Sequence, residues 1–215
     1  MFSNSRLLAA AACLIAAGAA LALPARPQPA AAATAYTPTF TSSGDMLPPT
    51  HYREWIYLTS GMDMSYLPTS AEMQGQSMFD NVFVNPEAYR SFLSTGTWPD
   101  KTVLVLEGRG AHTKGSINKL GHFQGTDLMD IEVHVKDEAR FPGKWAFFSF
   151  DSPTSKGTHI PTGAPCYSCH AAHGAVDSTF VQFYPTLLPL AQQKGTLSAA
   201  FLKQEAAENA PGPAK

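Results

Sequence analysis

Cysteine is scarce: the 215 residues hold three, at positions 13, 166 and 169. A structural zinc site wants four Cys or His ligands, usually as two pairs, so one close pair of thiols is poor material for it. Basic runs are missing too. The formal net charge is −2 with no Lys/Arg block, and nothing points to nucleic acid as a partner. No internal repeat is present. The one long apolar run, Leu7 to Ala22, is alanine-rich and short of the roughly 20 strongly apolar residues that span a bilayer.

That run reads instead as an export signal. Arg6 supplies the positive start, and Ala20-Leu21-Ala22 has the small-x-small pattern of a cleavage site, with Ala33-Thr34-Ala35 as a later one. The expected division is a signal peptide over 1–22, with cleavage as late as 35, and a flexible Pro- and Ala-rich linker over 23–48. A folded domain over 49–205 and a disordered tail over 206–215 follow. The expected location is the periplasm. Cys13 leaves with the signal, so Cys166 and Cys169 remain the only thiols.

Those two stand in Cys166-Tyr167-Ser168-Cys169-His170, the pattern of a c-type haem attachment site. Each thiol can add to one haem vinyl group to form a thioether. The short spacing puts both sulfurs along one edge of the macrocycle and His170 under the iron as axial ligand, through a neutral imidazole nitrogen. A redox pair would sit at the start of a helix after a buried strand. Here the motif follows a Pro-, Gly-, Ser- and Thr-rich loop, Ser152 to Pro165. A bare disulfide is the plain alternative in an exported protein. The adjacent histidine favours haem, one per chain.

Between linker and tail the pattern reads as α+β: a mostly antiparallel sheet with flanking helices. Strands are expected over Met78–Val84, Thr102–Leu106, Leu128–Val135 and Lys144–Phe150, with a helical turn running into a strand over Tyr52–Leu58. Asn85-Pro86 opens a helix that buries Ala88 and Phe92 and stops at Gly96. A helix broken by Pro185 is expected over Ser178–Leu188, and a terminal one over Leu197–Ala207. In Leu128–Val135, Ile131, Val133 and Val135 share one face, and Glu132 and His134 the other. Thirteen Phe, seven Tyr and three Trp are enough to fill an ordinary core and also to wall a dry haem pocket.

Several stretches, in order, resemble the cytochrome P-460 and cytochrome c′-beta family: Tyr52-Arg53-Glu54-Trp55, Asn81 to Tyr89, Gly96 to Val103, Glu132 to Asp137, Arg140-Phe141-Pro142 and Trp145 to Phe148. The haem motif and Phe183-Tyr184-Pro185 complete the set. The resemblance implies one covalent haem c, a pentacoordinate iron with an open distal side, and small nitrogen ligands such as hydroxylamine or nitric oxide. It also implies a homodimer. An oxidising enzyme would need an external redox partner, such as a small cytochrome. In the oxidising members a lysine is bonded to the haem edge; the matching position here is Leu106, and Lys114 or Lys119 would have to substitute. Glu132 matches a distal acidic residue that would accept protons during oxidation. Two other functions stay open. One is a non-catalytic nitric-oxide binding protein, which Leu106 favours. The other is a six-coordinate electron-transfer cytochrome using Met62, Met64, Met73, Met78 or Met129. The remaining histidines, 51, 112, 122, 134, 159 and 173, read as surface or structural.

Overall fold

Period-two alternation builds one six-stranded sheet, antiparallel throughout and in the simple order β1 to β6. The strands are β1 (Ile56–Met62), β2 (Met78–Val84), β3 (Val103–His112), β4 (Phe123–Lys136), β5 (Trp145–Phe150) and β6 (Thr158–His159). The helices are α1 (Pro86–Thr95), α2 (Pro165–His173), α3 (Leu188–Lys194) and α4 (Ala199–Glu208), and the fold class is α+β as expected. The computed structural model describes residues 35–64 and 77–210. The expected signal peptide, Cys13, the linker up to residue 34, Met73 and residues 211–215 lie outside these. Among the described residues no helix is long and apolar enough to cross a membrane.

The two faces of the sheet bury different things. On one, Val103, Val105, Ile131, Val133, Val135 and Phe148 form an apolar cluster. Its cover is the segment expected to be linker. Met46 is fully buried and pairs its backbone with Gly157, and Phe40 packs on Phe141 and Phe148. Tyr36 lies 4.7 Å from the Trp55 ring. Three widely spaced apolar anchors suffice to hold residues 35–48 down, although the stretch is rich in Thr, Ser and Pro. The flexible-linker expectation is therefore corrected for those residues.

On the other face Leu58, Val84, Leu104 and Trp145 meet Ala88 and Phe92 of α1, Ala191 of α3 and Phe201 of α4. α1 begins at Pro86 and ends at Gly96, whose φ of 77° is left-handed. Asn85, however, does not cap the helix. Its Oδ1 accepts from Val103 N (2.8 Å), joining β3 to the helix start. The terminal helix is capped by Ser198, whose hydroxyl accepts from Phe201 N (3.1 Å). It runs to Glu208, so residues 206–208 are helical rather than tail. The helix expected over Ser178–Leu188 is instead a tight turn, a 3-10 segment at Val181–Phe183 and then α3. Pro185 stays outside the helix and Pro189 sits in its first turn, where proline is tolerated.

Candidate functional site

The motif helix α2 starts at Pro165, the first helical position. Cys166, Cys169 and His170 stand at i, i+3 and i+4, a spacing that gathers them on one side of the helix. No residue of α2 is fully buried; ring contacts on Phe147 and the hydrogen bonds of Tyr167 join it to the sheet. Tyr167 matters most for the bonds. Its hydroxyl donates to Ile160 O (3.0 Å) and accepts from Phe147 N (3.3 Å), with His159 Nε2 at 3.2 Å. Both thiols are free. Burial pushes the Cys166 thiol pKa up.

His170 has a determined tautomer. Its Nδ1 lies 2.9 Å from Ser178 O, and a carbonyl only accepts. Nδ1 therefore carries the hydrogen and Nε2 the free lone pair. Burial lowers the His170 pKa, partly countered by that carbonyl, and the ring is neutral. Phe180 (4.2 Å), Phe147 (4.7 Å) and His134 (4.9 Å, edge-on) fix its plane. The carbonyl arrives because the chain turns sharply after Gly174. A Cβ there would come within 2.6 Å of His170 O and 2.8 Å of Thr179 N. Gly174→Ala is expected to cost about 1–3 kcal/mol by overpacking, read as a lowered Tm, because backbone stands on both sides.

His170 opens into a cleft of about 190 Å³. Val82, Leu104, Leu106, Phe147, Phe180 and Phe183 are apolar parts of its wall. Leu106 pairs with Val82 on β2 and Glu132 on β4, so these three cross the cleft wall in one row. Among the described residues no lysine lines the cleft; Lys114 and Lys119 sit exposed in the β3–β4 hairpin. Met64 does line it, and the other described methionines do not.

Glu132 is the carboxylate of this row. Its side chain reaches solvent through the cleft, yet the surrounding wall desolvates the carboxyl enough to raise its pKa, with Asp130 and Asp80 adding like charge. Asp80, also on the cleft wall, is pushed from the ordinary 3.8 to about 6 by burial first, then by Asp130 and Asp63. A carboxyl whose folded pKa is raised stabilises the fold when protonated. That stability is complete below the unfolded value and is lost as pH rises through the folded one. Unfolding free energy should therefore fall between about pH 4 and 6, and Asp80→Asn should flatten that fall in denaturant titrations.

His134 is the residue that sequence reasoning missed. Read as surface or structural, it is 7% exposed and stacks on Phe147 at 4.0 Å, beside His170. Its Nε2 is buried without a hydrogen-bond partner, and burial holds it neutral. The signal was its alternation with Glu132, which puts both on the cleft face. His51, His112 and His122 are exposed, His159 supports Tyr167, and His173 bonds Gln204 on the surface (2.9 Å).

The residues suit a haem. Two free thiols and an imidazole with a directed lone pair lie on one helix beside an apolar cleft, which is the donor set that a c-type attachment asks for. No curated protein matches the chain. Residues 49–181, more than half of the chain, match the family model described as Cytochrome P460. The chain thus belongs to the cytochrome P460 family, whose haem c proteins are linked to the chemistry of small nitrogen species.

Proposed function

We propose that this chain holds one haem covalently through Cys166 and Cys169, with His170 as axial ligand, and oxidises hydroxylamine or a related small nitrogen species in the cleft. A bound haem iron supplies the coordination site and accepts the electrons. The protein supplies the rest. His170 offers Nε2, Leu106, Phe180 and Phe183 keep the cleft small and apolar, and Glu132 accepts protons. The observation that carries the reading is the convergence of His170 and Glu132 on one largely apolar cleft. A group with a raised pKa is a better proton acceptor at neutral pH than an ordinary carboxylate, once ionised. The setting we infer is the periplasm, as a homodimer, with a small cytochrome taking the electrons.

A second reading is favoured by Leu106. With leucine where the oxidising enzymes carry their bonded lysine, the cleft also suits nitric oxide held without turnover. Hydroxylamine added to the ferric holoprotein, with a small cytochrome as acceptor, tests the two. Acceptor reduction in step with hydroxylamine loss supports oxidation. Nitric-oxide binding without such turnover supports the second reading, and failure of both contradicts the site.

A further inference from the structure

Behind His170 a set of largely buried polar contacts ties the sheet to the turn that carries Ser178. Lys136, the last residue of β4, is 6% exposed. Its Nζ donates to the Asp177 carboxylate (2.6 Å) and to Trp98 O (2.8 Å), and Glu138 stands 3.6 Å off. The Trp98 indole donates to Thr179 Oγ1 (2.8 Å), which donates in turn to Val176 O (2.7 Å). Trp98 and Thr179 are buried. The contacts thus grip the turn Val176–Thr179 at three of its four residues and leave Ser178 to present its carbonyl.

The turn needs that grip. Asp177 and Ser178 both have positive φ, 49° and 58°. Two left-handed residues in succession are a type I′ turn, the geometry that Asn-Gly favours. Asp-Ser adopts it at a cost and holds it when its surroundings over-determine it. Burying an ammonium is also costly, and an apolar side chain would often fill such a corner at no loss of stability. What the charge adds is direction: it fixes Asp177, and with it the next carbonyl in the chain.

We propose that Lys136 is a positioning residue for His170. By clamping Asp177 it keeps the Ser178 carbonyl on Nδ1–H, and so sets how strongly Nε2 donates. This rests on the haem reading above. A well-aimed acceptor on the far nitrogen fixes the tautomer and raises the ligand's basicity. A stronger donor favours the oxidised iron, so the clamp lowers the reduction potential.

Two variants of the holoprotein test this, Lys136→Met and Asp177→Gly. Glycine accepts positive φ, so the second keeps the turn while removing its anchor. The readouts are the ferrous iron–histidine stretch by resonance Raman and the midpoint potential. Both variants should lower the stretch and raise the potential, and the double variant should go no further than the larger single change. Glu107→Gln is the control. It disturbs a buried ion pair with Arg109 (2.6 Å), and its backbone position places it on the opposite sheet face. It should lower Tm and move neither readout. If Lys136→Met and Asp177→Gly behave like this control, the proposal is overturned. A wild-type protein with no iron–histidine stretch would overturn the haem reading itself, and this one with it.

Discussion

Cys166→Ala/Cys169→Ala protein is expected to release all of its haem to acid–acetone extraction, whereas the wild type keeps its haem on the chain. The expected effect is complete because these are the two free thiols of the described residues, and both lie on α2. Each single variant should retain one thioether, with a pyridine haemochrome spectrum between those of haem c and free haem. His170→Gly should act differently. The thioethers stay, the axial bond is lost, and added imidazole restores the ferrous spectrum through the same space between Phe147 and Phe180. Covalent pigment surviving in the double variant would place the attachment elsewhere.

Glu132→Gln should reduce hydroxylamine turnover by about 10²–10⁴-fold, the usual contribution of a positioned proton acceptor. Nitric-oxide affinity should hardly change, because the replacement has the same shape and the wall around it, Leu106 and Val82, is untouched. The pH profile separates proton acceptance from mere packing. Only the ionised carboxylate accepts, so wild-type turnover should climb with pH through the raised Glu132 pKa and then level. Burial raises that pKa most, followed by Asp130 and Asp80. Asp80→Asn removes one of the like charges and should shift the climb to lower pH; Glu132→Gln should abolish it. Unchanged turnover in Glu132→Gln would rule out the carboxylate relay and leave the binding function.

Much of this site could be read from the chain. β2 has the limits expected, Met78–Val84, because an alternating stretch ends at Asn85-Pro86. α1 begins and ends where Pro86 and Gly96 say, since both act through backbone geometry that no tertiary contact changes. Cys166, Cys169 and His170 come together because three or four residues of helix suffice to do it. Where the outcome depended on distant partners, local pattern fell short. β3 and β4 extend beyond their expected ends, through Gly108, Gly110 and Gly125, residues of low strand propensity. There glycine leaves room for the carboxyl groups of Asp130 and Asp127 to lie across the sheet. Residues 35–48 have a linker's composition, and only the apolar face waiting for Phe40 and Met46 decides otherwise. Alternation put His134 on the face of Glu132, but the pattern names a face and not its cover. That cover is α2, Pro165–His173, which turns a strand histidine into a neighbour of His170.

The most direct test is the absorption spectrum of the dithionite-reduced holoprotein before and after nitric oxide is added. Cys166, Cys169 and His170 beside an open cleft with no lysine among its described lining residues predict the high-spin ferrous spectrum of ordinary haem c, which shifts on adding nitric oxide. A sharp six-coordinate spectrum indifferent to nitric oxide would contradict the account, and would make Met64 on the cleft wall the first sixth ligand to examine.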